Sequence, residues 1–403
     1  MKVLIVNSSD NFGGAGRAAF RIHNSLKLNT VDSKMAVTLK LTNNSDVISL
    51  DGKTYKLFKF IKPQIEKYIS QKWDPSSNEL HSLSLFNSKW LNIINESDCD
   101  IINLHWVNGE MLSIKDISLI KKPIVWTFHD MWAFCGTEHY TSSEYWKNGY
   151  LQFNNFNINK FIWTRKYKYW KNQVFNIVTP SKWLADCAQE SRIFKNTNIN
   201  VIPNPIDTQF WSQIDKHLSR KILKLENDKF YILFCAFGNI NDPRKGFDLF
   251  KKSLLYINNN NKNIEIIVVG NTNLNGDIEN IKTRYFGQLN DDISLKILYN
   301  SADILVLPSR MDNLPNVALE SMACGTPIVS FSIGGMFDII DHMTNGYLAI
   351  PFDCKDFANG INIFSNSTIN LNDFSNNASQ KIINNYNQEL IGRKYKNLFQ
   401  SLI

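Results

Sequence analysis

Two carboxylates, Asp312 and Glu320, lie eight residues apart in the stretch DNLPNVALE. Asn313 is typical of a helix N-cap and Pro315 of a first helical position, so the stretch predicts the start of a helix. A helix N-terminus attracts anions, and Glu320 would lie roughly 9 Å further along the axis at about 1.5 Å per residue. This layout fits a ligand with a central diphosphate and hydroxyl groups at both ends, such as a nucleotide-sugar. A helix with a dipole-complementing Asp and a solvated Glu is the simpler alternative.

Two basic residues, Arg244 and Lys245, follow the predicted strand Tyr231–Phe237 in the stretch GNINDPRKGFDLF. Cations at the carboxyl end of a strand can neutralise the charge that builds on a diphosphate when a bond to it breaks. Two solvated charges in a loop would give the same pattern.

A loop rich in histidine and tryptophan, TFHDMWAFCGTEHY, follows the predicted strand Ile124–Phe128. His129 falls at the carboxyl end of that strand, where open parallel sheets bind ligands. Trp132 is predicted to stack on a sugar, with His139 and His105 on the side of a second substrate. These histidines do not have metal-ligand spacing with a carboxylate, so no bound metal is expected.

Two glycine-rich turns are further candidates for ligand contact. Gly13, Gly14 and Gly16 separate the first predicted strand from the first helix, and Gly334 and Gly335 follow a later strand. Glycine allows a backbone to approach a phosphate or sugar closely. The first turn does not match the dinucleotide-binding fingerprint GxGxxG. A tight turn is the alternative at both places.

The segment Lys160–Lys171 interleaves five aromatic with five basic side chains. This pattern fits an anionic membrane surface, single-stranded nucleic acid, or a core helix whose Lys and Arg side chains extend to solvent. Lys53–Trp73 is a weaker candidate of the same kind.

Length and composition exclude several classes of protein. The 403 residues, 43% hydrophobic, predict two domains with two cores. The formal charge of +7 is too mild to indicate a nucleic-acid-binding arm. Six scattered Cys without a CxxC pair predict neither a zinc site nor a disulfide framework, and favour a cytoplasmic setting. The start MKVLIVNSSD reads as a strand rather than a signal peptide, and no apolar run is long enough to span a membrane.

The order of predicted elements indicates an α/β fold of two doubly wound halves. VIPNPID at 201–207 divides them, which predicts a first domain over 1–203, a second over 204–380 and a C-terminal helix over 381–403. The remaining strands are predicted at Lys2–Asn7, Ile101–Leu104, Phe175–Thr179, Ile264–Val269, Ile304–Leu307 and Pro327–Phe331. Helices are predicted at Arg17–Leu28, Gly246–Tyr256, Asp291–Asn300 and Pro315–Met322, and within 371–403.

The stretch DNLPNVALE followed by SMACGTPIV resembles the signature of the family-4 retaining glycosyltransferases, which have the GT-B fold of two Rossmann-like domains facing across a cleft. The resemblance is strongest to the capsule and exopolysaccharide branch, the colanic-acid type. The family most often has Glu at the position of Asp312. Its phosphate-binding Arg position is Asn239 here, so Arg244 is expected to take that role beside Lys245.

The resemblance implies a role for each candidate residue. Asp312 and His129 would contact the transferred sugar, Glu320 the ribose hydroxyls, and Lys245 with Arg244 the donor phosphates. Further donor contacts are expected at Gly14, Gly16, Gly238, Asn313 and Leu314. His105, Trp132 and His139 would line the acceptor side.

The implied activity is transfer of a sugar, with retained configuration and without a metal or other cofactor, from a UDP- or GDP-linked donor to an acceptor hydroxyl. A lipid-linked glycan at the inner face of the membrane is the implied acceptor. Three rivals stay open: a GT-B sugar-nucleotide epimerase or hydrolase, a nicotinamide dehydrogenase lacking the fingerprint, and a nucleic-acid binder using Lys160–Lys171.

Overall fold

The computed structural model describes residues 1–50, 61, 64–66, 68, 80–258, 263–289, 291–366 and 369–403. Most of Lys53–Trp73 lies outside the described residues. The chain forms two compact units, Met1–Pro205 together with Gln388–Ile403, and Ile206–Asn387. No helix in the described part of the chain has the length and apolar character needed to cross a membrane.

The first unit is built on a parallel sheet of seven strands in the order β3-β2-β1-β4-β5-β6-β7. Its inner strands are short apolar runs that are buried on both faces, as a parallel sheet covered by helices requires. The strands are β1 (Lys2–Ser9), β2 (Asp32–Leu39), β3 (Val47–Ser49), β4 (Ile101–Leu104), β5 (Ile124–Thr127), β6 (Asn176–Thr179) and β7 (Ile199–Val201). The helices that follow them are α1 (Gly13–Leu28), α2 (Trp90–Glu96), α3 (Ile114–Ser118), α4 (Ile158–Trp170) and α5 (Lys182–Glu190), with a 3-10 turn at Tyr145–Asn148.

The second unit repeats the architecture with six parallel strands in the order β10-β9-β8-β11-β12-β13. The strands are β8 (Phe230–Asn239), β9 (Ile264–Asn271), β10 (Thr283–Gly287), β11 (Ile304–Leu307), β12 (Ile328–Phe331) and β13 (Gly346–Ala349). The helices are α6 (Lys216–Ile222), α7 (Phe247–Leu254), α8 (Asp292–Ser301), α9 (Asn316–Ala323), α10 (Met336–Ile339), α11 (Cys354–Ser365) and α12 (Leu371–Asn385), with a 3-10 turn at Pro243–Lys245.

The last helix, α13 (Gln388–Gln400), belongs to the first unit although it follows the second in sequence. Ile391, Tyr395 and Phe399 are fully buried on it and share one core with strand residues of the first sheet and apolar residues of α1. The apolar positions, spaced four apart, put one stripe of the helix against that core.

The alternation of strand and helix is as predicted, whereas several strands at or near the sheet edges were missed. β4 and β11 have the predicted bounds, because uninterrupted apolar runs between polar residues mark strands buried on both faces. β2, β3, β7, β10 and β13 were not predicted. β7 and β10 are only partly buried, so they lack the continuous apolar run of a central strand.

Candidate functional site

Three neighbouring strands of the second sheet bring the predicted ligand-binding loops together. β8 pairs with β11, and β11 pairs with β12, all parallel, so their carboxyl ends lie at one edge. Lys245 follows β8, Asp312 follows β11 and Gly334 follows β12. In open parallel sheets this edge is where ligands bind, at the point where strand order reverses.

Asp312 forms a compact ion cluster with the two predicted cations. Lys245 Nζ donates to Asp312 Oδ2 at 2.7 Å, and an Arg244 guanidinium nitrogen lies 3.4 Å from the same oxygen. Burial acts to raise the pKa of Asp312, but the charges of Lys245 and Arg244 outweigh it and hold that pKa below its ordinary value. The carboxylate is therefore ionised at neutral pH.

Two glycines allow the three loops to approach one another. Gly246, with φ +68°, is left-handed, and a β-carbon there would overlap the Pro308 carbonyl oxygen. Gly334, with φ +53°, is also left-handed, and a β-carbon there would overlap the Asp312 carbonyl oxygen. Any larger residue at either position would push a loop away from the ion cluster.

Arg310 supports the turn that carries the cations, and the sequence analysis did not identify it. Its guanidinium pairs with both carboxylate oxygens of Asp248, at 2.8 and 2.7 Å, and donates to the Pro243 carbonyl at 2.7 Å. Its backbone N–H donates to the Arg244 carbonyl at 2.8 Å. An Arg six residues after β11 begins gave no sequence signal, because its partners lie more than sixty residues away.

The helix after Asp312 begins later than predicted. Its N-cap is Pro315, so the prediction of Asn313 as N-cap was wrong. Asn313 and Leu314 are buried in the turn before the helix. Glu320 is also buried, within α9, and accepts a hydrogen bond from the Tyr299 hydroxyl at 3.1 Å. The alternative of a solvated Glu at this position is therefore wrong.

The remaining donor-side glycines differ in their surroundings. Gly238 lies inside β8 rather than after it, since the strand continues to Asn239. Gly14 is exposed in the first turn of α1, which begins at Gly13 and not at Arg17. Gly16 is buried, and a β-carbon there would crowd the Ser9 hydroxyl, so Gly16 serves close packing of α1 on β1.

In the first unit His129 and His105 form a hydrogen-bonded pair at the carboxyl ends of β5 and β4. His129 Nε2 lies 2.9 Å from His105 Nδ1, and the two rings are stacked with centroids 5.2 Å apart. His105 Nε2 lies 2.9 Å from Asn103 Oδ1. Burial lowers the pKa of His129 to about 4, against a smaller opposing effect of Asp130. Burial and the neighbouring His129 lower the pKa of His105 well below its ordinary value, so both rings are neutral at pH 7.

Asp130 and His139, in the same loop as His129, are within hydrogen-bonding distance of each other. His139 Nδ1 lies 2.6 Å from Asp130 Oδ2, and His139 Nε2 lies 2.9 Å from Ser82 Oγ. The Trp106 indole N–H also donates to Asp130, at 3.0 Å. The arrangement has the order of a Ser-His-Asp triad, but Ser82 and His139 are buried, so it anchors the loop rather than presenting a nucleophile.

The three residues predicted for the acceptor side are buried. Trp132 is 2% exposed, and its indole N–H donates to the Ser82 carbonyl, so it has no face for a sugar. His139 uses both ring nitrogens within the fold. His105 is likewise buried, with both of its ring nitrogens bonded. Among the described residues no group of three metal-ligating side chains is placed to hold a metal ion.

The helix α4 buries three residues of the aromatic-basic pattern. Lys166 is fully buried, and its ammonium donates to the carbonyls of Trp132, Cys135 and Gly136. Burial lowers its pKa to about 7, and nearby acidic groups and Cys135 oppose that shift. Trp163 and Trp170 are also buried, which matches the core-helix alternative for those positions.

Comparison with known proteins assigns both units to glycosyltransferases. Residues 231–366 match the family described as Glycosyl transferases group 1, and residues 52–210 match Glycosyltransferase Family 4. Together the two matches cover well over half of the chain.

Curated relatives agree with that assignment over part of their length. The chain is 28% identical over 189 residues, 45% of its own length, to an uncharacterized glycosyltransferase of Methanocaldococcus jannaschii. It is 28% identical over 218 residues, 51% of its length, to the UDP-Gal:alpha-D-GlcNAc-diphosphoundecaprenol alpha-1,3-galactosyltransferase of Escherichia coli. The chain spans about half of these relatives, 47% and 54% respectively.

Solved structures share the fold along the whole chain. Anabaena Alr3699/HepE, crystallised with UDP-glucose, has a TM-score of 0.67 at 17% identity, with 100% of both chains covered. Sucrose-phosphate synthase from Thermosynechococcus elongatus also has a TM-score of 0.67, at 13% identity, covering 100% of this chain and 99% of the other. At this identity the likeness establishes the fold alone, and the predicted GT-B fold is confirmed.

Proposed function

Since the chain belongs to the family-4 glycosyltransferases, we propose that it transfers a sugar from a nucleotide-diphospho-sugar to an acceptor hydroxyl. The observation that carries this proposal is the cluster of Lys245 and Arg244 around Asp312 at the reversal point of the second sheet. It places two cations for a diphosphate next to an ionised carboxylate for sugar hydroxyls.

The second unit would hold the donor. Lys245 and Arg244 would bind the diphosphate and stabilise its charge as the sugar leaves, which makes the proposed reaction independent of a metal. Asp312 would accept hydrogen bonds from the sugar, and Glu320 from the ribose hydroxyls. Gly238 would contribute contacts from the end of β8, and Asn313 and Leu314 from the turn before α9.

The first unit would act on the sugar and the acceptor. His129 would contact the reacting sugar as a neutral ring, because burial keeps its pKa near 4. The bond from the anomeric carbon to the phosphate oxygen breaks as the acceptor oxygen attacks from the same side. Because the attack is on the face from which the phosphate departs, the anomeric configuration is retained, and the departing phosphate takes the acceptor proton.

The acceptor is proposed to be a lipid-linked glycan in surface polysaccharide synthesis. Two relatives support this class: the Escherichia coli enzyme, whose name specifies a diphosphoundecaprenol acceptor, and a Staphylococcus aureus capsular polysaccharide glycosyltransferase, CapM, 21% identical over 238 residues, which are 57% of this chain and 62% of CapM. Any contact of α4 with an anionic membrane would use the exposed residues Phe161, Lys168 and Lys171, since Lys166 is buried.

Thermal shift with nucleotide-sugars tests the donor. A ligand at about a hundredfold its dissociation constant adds roughly 2.7 kcal/mol to the free energy of unfolding. With EDTA present, UDP- or GDP-sugars should raise the melting temperature of the wild type, and Lys245→Ala and Glu320→Ala should lose that shift. Stabilisation by NAD, and by no nucleotide-sugar, would contradict the proposal.

Product analysis tests the reaction. Incubation with a lipid-linked acceptor should give a new glycoside, whose anomeric proton coupling reports the retained configuration. Release of free sugar only would identify a hydrolase instead. A sugar nucleotide with an altered sugar configuration would identify an epimerase.

A further inference from the structure

Hydrogen bonds connect Asn103 to His105 and His105 to His129. The orientation of the Asn103 amide determines which atom is the donor in each of them. Asn103 Nδ2 lies 3.0 Å from the Val125 carbonyl oxygen. A backbone carbonyl only accepts hydrogen bonds, so the amide nitrogen must be the group that faces it. The other end of the amide, Oδ1, therefore faces His105 Nε2 and accepts from it at 2.9 Å.

The same reasoning assigns the protons on both rings. His105 carries its proton on Nε2, so a neutral His105 has its lone pair on Nδ1. That lone pair faces His129 Nε2 at 2.9 Å, so Nε2 is the protonated nitrogen of His129. In a neutral His129 the lone pair is then on Nδ1.

The side chain of Asn103 is itself held in place by contacts with two other residues. Asn103 is fully buried, and its Nδ2 also lies 3.1 Å from Thr127 Oγ1. Thr127 Oγ1 lies 3.2 Å from the buried hydroxyl of Tyr395 on α13. The amide of Asn103 cannot rotate without losing its bond to Val125 and placing two donors against each other at His105.

We infer that Asn103 and His105 are positioning residues that fix His129 in the tautomer protonated on Nε2, so that its Nδ1 accepts hydrogen bonds. This rests on the proposed function, in which His129 contacts the transferred sugar.

A long-range proton–nitrogen spectrum of the full chain, labelled with 15N in histidine, tests the inference directly. The chain has seven His, and the signals that disappear in His129→Gln belong to His129. At pH 7 we expect one protonated ring nitrogen, Nε2. A proton on Nδ1 alone, or on both nitrogens, overturns the inference.

His105→Phe separates positioning from packing. It keeps a ring against His129 but removes the acceptor for Nε2–H, so the His129 signals should shift to a mixture of tautomers. We expect kcat to fall roughly tenfold, as for one lost hydrogen bond, with KM for the donor within about twofold. Unchanged His129 signals in this variant would overturn the positioning role.

His23→Phe is the matched control. His23 is a buried histidine of α1 that bonds Ser33 through one ring nitrogen, and its replacement should leave the His129 signals and kcat unchanged. If His105→Phe does not fold, the wild-type spectrum still decides the tautomer. The expected tautomer in a protein that binds no nucleotide-sugar would retain the His129 assignment and refute the proposed function.

Discussion

The two units place polar side chains at the same edge of similar sheets, but they keep them there by opposite means. In the first unit, His105 is buried, His129 is partly buried and both are neutral, because a ring that loses its proton near pH 6.5 becomes neutral at a small cost in free energy. In the second unit, Asp312 stays charged, because Lys245 and Arg244 outweigh the cost of its burial. One site offers oriented hydrogen-bonding groups and the other offers fixed charge.

The comparison indicates how the work of the proposed reaction is divided. A leaving diphosphate needs positive charge that does not depend on pH, which Lys and Arg provide. A sugar hydroxyl needs a directional partner, which a neutral ring provides once its tautomer is fixed. Substitutions in the second unit should therefore affect the diphosphate, whereas substitutions in the first unit should affect the contact with the sugar.

The largest effect is expected from Lys245→Ala, because it removes the closest cation of the charged site. Loss of one preorganised group for transition-state charge typically lowers kcat about 10²- to 10³-fold, and we expect that fall with the proposed donor. The melting temperature should fall as well, since Asp312 loses the partner at 2.7 Å. Steady-state kinetics and calorimetry measure the two effects.

The double variant Lys245→Ala/Asp312→Asn is the control for that experiment. It removes the charge left behind, so most of the lost thermal stability should return while activity stays low. A double variant as unstable as Lys245→Ala would show that the ion pair is not what stabilises this edge of the sheet.

The next largest effect is a pH dependence of stability, which His129 of the first unit should cause. The pKa of His129 is about 4 in the folded chain and near 6.5 when unfolded, so between these values the unfolded chain binds more protons. Stability should therefore fall as pH falls from 6.5 to 4, by on the order of 2 kcal/mol from this residue.

His129→Gln should flatten that dependence, measured as melting temperature against pH. The matched control is His217→Gln, because His217 is exposed on α6. Equal slopes in the wild type and in His129→Gln would mean that His129 is not held neutral by burial.

A smaller effect is expected from Glu320→Gln, which tests whether the second unit also binds through the Glu320 carboxylate. The amide keeps an acceptor for Tyr299 but removes the carboxylate, and we expect about tenfold weaker binding of the nucleoside diphosphate by isothermal calorimetry. Tyr299→Phe should weaken binding less. Unchanged affinity in Glu320→Gln would leave Glu320 as a core residue.

The smallest effect is expected from Arg310→Ala, which acts on the cations through their turn. Arg310 and Asp248 are partly exposed, so the pair contributes about 0.5–1 kcal/mol, and KM for the donor should rise only a few-fold. Asp248→Ala should have a smaller effect, because Arg310 keeps its hydrogen bond to the Pro243 carbonyl. A loss as large as that of Lys245→Ala would make Arg310 a direct ligand contact.

The sequence by itself determined the class of fold and identified the residues that form the ion cluster of the second unit. Apolar runs such as Ile101–Leu104 and Ile304–Leu307 marked central strands, because their side chains are buried on both faces. The residues that follow a strand mark the ligand edge, which pointed to Lys245, Asp312 and His129. The resemblance of DNLPNVALE and SMACGTPIV to a family signature added the family.

Only the tertiary structure decided what those residues contact. Trp132 and Lys166 looked like surface residues because a polar-aromatic pattern reads the same on a loop and in a core, and they proved to be buried. The partners of Arg310 and Asp312 lie more than sixty residues away in sequence, joined only because β8 and β11 are neighbours. The tautomer of His129 depends on an amide held by another strand, because a proton's position is fixed by the acceptors around it and not by residue type.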